Sequence, residues 1–359
     1  MRKENNQLKF KRDIPLVMIS LTIILSLCCS GCSSARNTPV EAEGFYMGTV
    51  ITEKVYGRNA QKAADEGMKR VEEIQNKMTI QTAGSEIDNL NQAAGNGQFV
   101  SLSSDSLFVL KTALKYSALS QGAFDVTVGP LDKAWGIYTN NPRILSQEEV
   151  VRLKKLVDYT DIEVNDADNT ARLKRAGQVV DLGAIAKGYA GDEVINVFKK
   201  YGIKSAFVNL GGNVVTLGSK PDGTPWKIGI KDPRPAAEGD QIGVLQVDNK
   251  SVVTSGDYER YVIKNNVRYH HILDPRTGYP SKSGLISVTI VANISIDADA
   301  LSTSVFILGL DKGMALIRSL QGVDAIMITE DKQIVITPGI KDNFTLTDEG
   351  GTYTYHEET

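Results

Sequence analysis

Apolar positions recur at helical spacing in the first half of the chain. Over residues 59–78 and 104–119 they fall three and four positions apart, which predicts two amphipathic helices. Ser146, followed three residues later by Glu149, forms a predicted capping box for a third helix that ends near residue 157. A strand over 178–182 is predicted to lead into a fourth helix over 184–201.

Short alternating or apolar runs dominate from residue 206 onward and predict strands. These runs are 206–209, 214–217, 226–230, 244–247, 258–264, 267–272 and 285–291. Helices near 299–308 and 311–320 follow, and then a closing hairpin of 325–328 with 333–337. Helices combined with strands that follow one another directly predict an α+β fold with largely antiparallel sheets and flanking helices.

The N-terminus has the pattern of a bacterial lipoprotein signal peptide. A basic segment precedes an apolar run over 14–27, which is short for a membrane span. Small residues then precede Cys32 as in a lipobox, with Cys29 where leucine is usual. We expect a signal peptide over 1–31, lipidation of Cys32, a tether over 32–44, one domain over 45–345 and a polar tail over 346–359. The alternative is a plain N-terminal transmembrane anchor.

Composition and charge narrow the classes of function. Hydrophobic residues make up 42% and charged residues 23% of the chain, as in a globular protein, and the net charge of −3 argues against a general nucleic-acid binder. The 3 cysteines all lie at or before Cys32, and the chain has 3 histidines. A transition-metal site is therefore not expected, whereas an oxygen-ligated Mg²⁺ site remains open.

Two glycine-rich segments have both a functional and a structural explanation. Residues 181–190 lie at the predicted strand-to-helix turn, where exposed amides and Lys187 suit a phosphate. An ordinary tight turn explains the same residues equally well. Residues 209–213 contain two glycines between strands and are interpreted as a hairpin turn.

Two further segments carry side chains that suit catalysis or metal binding. The first comprises residues 254–260 and 269–278, in which His270 and His271 end a predicted strand. Since neighbouring strand residues point to opposite faces, only one of these two histidines can serve a given site. One face of a predicted helix carries Asp299, Ser302 and Thr303. The side-chain oxygens of these residues suit a hard cation. A capped helix with a back-bonding threonine is the alternative.

These four segments, in this order, resemble the ApbE family of FAD:protein FMN transferases. The resemblance covers roughly residues 45–337 and also rests on 45–49, 85–91 and 122–131 with Trp135. It implies an ApbE-like fold with FAD in a cleft. It also implies Mg²⁺-dependent transfer of FMN from FAD to a threonine or serine hydroxyl of a target protein, with release of AMP. An Mg²⁺-dependent FAD pyrophosphatase and a non-enzymatic FAD-binding lipoprotein are the alternatives.

The resemblance also assigns roles to individual residues. His271 matches the catalytic histidine, and its ordinary pKa near 6.5 suits a base for the acceptor hydroxyl. Gln81 matches a position that is often aromatic in relatives. The implied metal ligands are Ala184 through its carbonyl, Asp299, Ser302 and Thr303. The implied FAD contacts are Met47, Gln81, Ala123, Phe124, Asp125, Asp181, Lys187 and Leu273.

The resemblance and the lipobox together imply a location and partners. A lipid on Cys32 would hold the domain on the outer side of the bacterial cytoplasmic membrane, in the periplasm of a Gram-negative cell. The implied partners are FAD and flavin-carrying subunits of redox pumps of the Nqr and Rnf type, or other exported flavoproteins.

Overall fold

The computed structural model describes residues 38–139, 141–237, 239–348 and 351–357. The helices are α1 (Ala60–Met78), α2 (Glu86–Gln92), α3 (Ser104–Leu119), α4 (Gly129–Trp135), α5 (Gln147–Lys154), α6 (Ala186–Lys200), α7 (Ser295–Leu308) and α8 (Leu310–Arg318). The first strands are β1 (Val40–Tyr46), β2 (Thr49–Tyr56), β3 (Val100–Ser101), β4 (Ile162–Asn165), β5 (Thr170–Leu173), β6 (Ser205–Leu210), β7 (Asn213–Leu217), β8 (Trp226–Lys231), β9 (Gln241–Val247) and β10 (Ser251–Gly256). The later strands are β11 (Tyr261–Lys264), β12 (Val267–His270), β13 (Leu273–Asp274), β14 (Tyr279–Pro280), β15 (Leu285–Ala292), β16 (Asp324–Thr329), β17 (Gln333–Ile336), β18 (Phe344–Leu346) and β19 (Thr354–Glu357).

A nine-stranded sheet forms the centre, in the order β1-β2-β6-β7-β10-β15-β16-β17-β19. Its neighbouring strands pair antiparallel except β17 and β19, which are parallel. Two three-stranded sheets, β18-β9-β8 and β3-β5-β4, and the hairpins β11-β12 and β13-β14 complete the topology. The predicted α+β class with largely antiparallel sheets is confirmed.

Both faces of the central sheet are covered, so alternate side chains of its strands enter two different cores. Val253 of β10 and Ile290 of β15 belong to the large core that helices such as α1, α6 and α7 cover. Val252 and Val291 point the other way, into a second core closed by β8, β9 and β18. A third, small core surrounds Trp135 under the β13-β14 hairpin.

Several sequence predictions are confirmed in detail. Helix α5 begins at the predicted capping box, in which Ser146 accepts from the Glu149 amide and the Glu149 carboxylate accepts from the Ser146 amide. Gly211 and Gly212 form the two-residue turn between β6 and β7, and both have positive φ, which glycine adopts without strain.

The predicted strand over 178–182 is wrong. Only an isolated bridge joins Val179 to Val128. The Asn91 side chain binds both the amide and the carbonyl of Val180, at 2.7 and 2.9 Å, and the Asp181 amide donates to Val126. A distant side chain thus satisfies backbone groups that a neighbouring strand would otherwise take.

Helix α7 begins at Ser295, four residues before the predicted start at residue 299. The Asp192 carboxylate, on α6, accepts the amides of Ser295 and Ile296 at 2.8 and 2.9 Å. The capping side chain therefore comes from another helix, so the residues next to Ser295 do not predict where α7 begins. Burial raises the pKa of Asp192 to about 6.

The ends of the chain differ from the predicted boundaries. Strand β1 begins at Val40, inside the predicted tether, because residues 40–46 pair with β2. Within the predicted polar tail, Thr354–Glu357 add a strand to the central sheet. Cys32, the signal peptide and the first part of the tether lie outside the described residues. None of the helices among the described residues is long and apolar enough to span a membrane.

Candidate active site

The turn before α6 is held from both sides. Asn91, in the segment 85–91, fixes the backbone at Val180, and Asp181 then accepts the Gly183 amide at 2.8 Å. Lys187 reaches back over the turn and donates to the Gly183 carbonyl at 3.2 Å. Burial raises the pKa of Asp181, opposed by the Gly183 hydrogen bond and by nearby lysines. The turn therefore displays a carboxyl and an ammonium at the start of a helix.

Asp299 of α7 lies against the first turn of α6. Its Oδ2 accepts the Gly188 amide at 2.8 Å, and its Oδ1 lies 4.0 Å from the Lys187 ammonium. Gly188 makes this approach possible, since a Cβ there would lie 2.4 Å from the Ser295 carbonyl oxygen. The turn at residues 181–187 therefore faces the helix that carries Asp299.

The bond to Asp299 leaves another oxygen free. In a regular helix the Gly188 amide would donate to the carbonyl of Ala184, four residues earlier. Because Asp299 takes that amide, the Ala184 carbonyl accepts no hydrogen bond from any described residue. A backbone oxygen and a carboxylate oxygen, both available as ligands, thus lie at the same helix start.

Hydroxyl groups surround the same point. Ser302 Oγ donates to the Asp299 carbonyl at 2.8 Å, and Ser255 of β10 lies 2.8 Å from Ser302 Oγ and 3.4 Å from Thr303 Oγ1. Ser302 is fully buried and engaged on two sides, whereas Thr303 has only the long contact. Ser255 was in a singled-out segment but was not predicted as a site residue, because only the β10–α7 packing brings it here.

This oxygen set fits Mg²⁺. Asp299 Oδ1, the Ala184 carbonyl and Thr303 Oγ1 all retain lone pairs, and hard cations prefer such oxygens. Ser302 fits less well, because its hydroxyl is already used within the protein. Among the described residues there is no group of three or more His, Cys, Asp or Glu side chains that would hold a metal by itself.

The two neighbouring histidines have different environments. His270 is buried, with Nδ1 accepting from the Ile272 amide at 3.3 Å and Nε2 donating to the Ser281 carbonyl at 3.0 Å. His271 is half-buried and uses only Nδ1, which lies 3.2 Å from the Arg260 carbonyl. A carbonyl only accepts, so Nδ1 carries the proton and Nε2 keeps a free lone pair.

Electrostatics keep His271 neutral. Burial lowers its pKa to about 3, and the positive charges of Lys187 and Arg260 act in the same direction. A neutral imidazole with an open Nε2 can accept a proton. Lys187 faces Asp299 and its charge also reaches His271, so the histidine lies within electrostatic range of the oxygen cluster.

Arg260 links His271 to the turn between β1 and β2. Its guanidinium donates to the Gly48 carbonyl at 2.7 Å and lies 5.1 Å from the ring centre of Tyr138, which in turn contacts His271 edge-on. The Met47–Gly48 turn between β1 and β2 is thereby tied to the histidine. Met47 adopts a left-handed conformation (φ 51°) in this turn.

Asp132 of α4 is a site residue that the sequence analysis missed. Burial raises its pKa well above the usual range, and the negative charge of Asp181 adds to the effect. The two carboxyl groups therefore lie within electrostatic range of each other, and burial favours the uncharged form of Asp132. Its signal in the sequence was the segment 122–131, which ends just before it.

The remaining predicted FAD contacts lie deeper or farther out. Ala123, Phe124 and Leu273 are buried side chains, so only their backbone atoms can face a ligand. Asp125 is also buried, and its carboxylate accepts from Thr127 (amide and hydroxyl) and from the Tyr159 amide. Gln81 is exposed on the turn after α1. The structure thus brings together Met47, Asp181, Lys187, His271 and the oxygen cluster.

A family model for the ApbE family matches residues 47–327. The chain belongs to the ApbE family. An FAD:protein FMN transferase of Klebsiella pneumoniae is 34% identical, over 85% of this chain and 93% of that protein. One of Treponema pallidum is 33% identical, over 89% and 92%.

Solved structures of the ApbE family agree with the fold. An ApbE protein of Thermotoga maritima superposes with a TM-score of 0.79 at 32% identity, over 85% of this chain and 99% of that one. The flavin transferase ApbE of Vibrio cholerae gives 0.74 at 29% identity, over 86% and 96%. The resemblance found in the sequence and the ApbE-like fold it implied are confirmed.

Proposed function

We propose that this protein transfers FMN from FAD to a threonine or serine hydroxyl of an acceptor protein, with Mg²⁺ as cofactor and AMP as the second product. The coarser statement, an FAD:protein FMN transferase, follows from the family and from relatives that share most of the chain. The single observation that carries the finer proposal is the position of Lys187, which lies 4.0 Å from Asp299 Oδ1 and whose charge also reaches His271.

The proposed reaction is a phosphoryl substitution. The acceptor oxygen forms a bond to the FMN phosphorus, the bond from that phosphorus to the AMP oxygen breaks, and the hydroxyl proton passes to Nε2 of His271. His271 suits this step in geometry, because the Arg260 carbonyl fixes its Nδ1 and leaves Nε2 free to accept the proton. The lowered pKa makes it a weaker base than an ordinary histidine. AMP leaves with the electrons of the broken bond.

The other side chains hold and neutralise the pyrophosphate. Lys187 and Arg260 supply positive charge at the two sides of the cleft, and the start of α6 directs backbone amides toward it. Mg²⁺, held by Asp299, Thr303 and the Ala184 carbonyl with Ser302 behind them, would supply further positive charge to the pyrophosphate. Phosphoryl transfer needs positioning and charge more than a nucleophile from the enzyme.

The location and partners remain part of the proposal. Cys32 would carry the lipid and hold the domain on the outer side of the cytoplasmic membrane, which is periplasmic in a Gram-negative cell. The lipobox supports this, and β1 begins only a few residues later, at Val40. Acceptors would then be flavin-carrying subunits of the Nqr and Rnf type or other exported flavoproteins.

The test mixes residues 33–359 with FAD, Mg²⁺ and a soluble flavin-carrying domain of the Nqr type. We expect flavin fluorescence on the denatured acceptor, a matching mass increase and an equal amount of AMP. EDTA should abolish the label and added Mg²⁺ restore it, and an acceptor with Thr→Val at the target position is the control. Free FMN and AMP without label would instead establish an FAD pyrophosphatase, and bound FAD without turnover a binding protein.

A further inference from the structure

A cavity of about 620 Å³ runs along the strand that precedes His271. All four residues of β12 (Val267–His270) line it, together with parts of β13 and β14 and residues 281–283. Side chains alternate along a strand, so a cavity on one face would meet only every second residue. Contact with all four is expected of a cavity that runs along an edge of β12.

That edge of β12 is open for pairing. β11 and β12 form a two-stranded sheet, so among the described strands β12 has a neighbour on one side only. The His271 amide donates to the Arg260 carbonyl on the β11 side. The alternation of an antiparallel ladder then directs the amide and carbonyl of Arg268 and of His270 to the other edge.

Polar and charged groups inside the cavity suit an acidic polypeptide. Ser281 lines it with a buried hydroxyl that has no hydrogen-bond partner among the described residues. Its basic side chains are Arg268, Arg276, Lys282 and Lys312. Its carboxylate, Asp274, is already paired with Arg276 at 2.8 and 2.9 Å. The lining therefore carries excess positive charge.

We propose that an extended, acidic segment of the acceptor protein adds as a third strand to the open edge of β12 and so brings its hydroxyl to His271. This inference rests on the proposed function. β12 ends directly before His271, and one strand residue spans only about 3.3 Å. FAD is assigned to the site of Asp181, Lys187 and Asp299, none of which lines this cavity, whereas the acceptor is a macromolecule that needs a surface of its own. Strand addition supplies affinity from backbone hydrogen bonds and specificity from side-chain pockets.

The sharpest test compares Arg268→Pro with Arg268→Ala. Proline at this position removes an amide that points to the open edge and leaves the ladder to β11 intact, as edge strands tolerate. Alanine removes the same side chain and keeps the amide. For Arg268→Pro we expect KM for the Nqr-type acceptor domain to rise at least about tenfold, with kcat and the FAD dissociation constant within about twofold. Arg268→Ala should show a KM within about threefold of the original protein.

A second pair of variants fills the cavity from its far wall. Lys312 is exposed on α8 and lines the cavity, so Lys312→Trp places a large side chain in it with little risk to folding. Lys312→Ala is the matched control for the lost charge. We expect Lys312→Trp to raise the acceptor KM as Arg268→Pro does, also without changing the affinity for FAD.

The outcomes separate this inference from the proposed function. Normal acceptor KM values in both Arg268→Pro and Lys312→Trp would overturn the strand-addition site while transfer itself stands. If the original protein binds FAD but labels no acceptor, the proposed function fails. Direct binding of the acceptor domain then decides, because equal affinity for the original protein and for Arg268→Pro overturns the docking site as well.

Discussion

Two buried carboxylates lie in two parts of the large core and have opposite surroundings. At the junction of α6 and α7, Asp299 is 4% exposed, accepts the Gly188 amide and faces Lys187. Between β2 and α1, Glu53 is 2% exposed, and neither of its carboxylate oxygens has a hydrogen-bond partner in the part of the chain that the structure describes.

The difference shows when a buried acid indicates a function. The Gly188 amide and Lys187 stabilise the negative charge of Asp299, and the free oxygens beside it leave ligand positions open. Glu53 lies on the same face of β2 as Ile51 and Val55, which are fully buried, and Gly67 of α1 passes close above it. Burial raises the pKa of Glu53 to about 8, and Asp65 adds to the effect. Its surroundings favour the uncharged acid and offer no site.

The largest expected effect is at the α6–α7 junction. Asp299→Ala should lower Mg²⁺-dependent transfer at least about a thousandfold, since it removes the only carboxylate of the proposed metal set. The measurement is the flavin-labelling rate against Mg²⁺ concentration. Glu53→Gln serves as the matched control, because it changes an equally buried acid outside the cleft. Full activity of Asp299→Ala would remove Asp299 from the metal set.

The next largest effect is expected at the two neighbouring histidines. His271→Ala should lose at least about a hundredfold in transfer rate, the lower range for a general base. His270→Ala removes two internal hydrogen bonds instead, so we expect a lower melting temperature with a rate within several-fold. Single-turnover rates and thermal melts of both variants separate the two roles. A large rate loss in His270→Ala alone would reverse the assignment.

The comparison also shows which features a single sequence can predict. The 3.6-residue and two-residue periods predicted most helices and strands, because those faces bury against the core. The shared helix face of Asp299 and Thr303 was likewise visible in the spacing. The spacing does not predict that Asp192 caps α7 or that Asn91 binds Val180. In these contacts the partners lie about 100 and 89 residues apart along the chain. Asp132 and Ser255 join the site through such long-range packing.

Packing at Gly188 should have a smaller effect. Gly188→Ala places a Cβ 2.4 Å from the Ser295 carbonyl and 2.7 Å from Asp299 Cβ, so α7 must move away from α6. We expect a loss of about 1–3 kcal/mol in the free energy of unfolding, as for other overpacked sites. A weaker apparent affinity for Mg²⁺ should accompany it, since Asp299 moves with α7. Chemical denaturation and Mg²⁺ titration measure the two effects.

Substitution of Glu53 should give the smallest effect, and the free energy of unfolding should rise rather than fall. Glu53→Met keeps a similar volume and removes an unpartnered buried acid, so we expect a gain of about 1–2 kcal/mol in the free energy of unfolding at pH 8. The gain should shrink toward pH 5. The folded-state pKa near 8 lies above the ordinary value of 4.5, so the folded protein binds the proton more tightly than the unfolded chain does. The contribution of Glu53 to the free energy of unfolding is fully present below pH 4.5 and is lost as the pH rises through 8. Urea denaturation of both proteins at pH 5 and pH 8 measures the difference, and an equal gap at the two pH values would show that Glu53 is ionised in the fold.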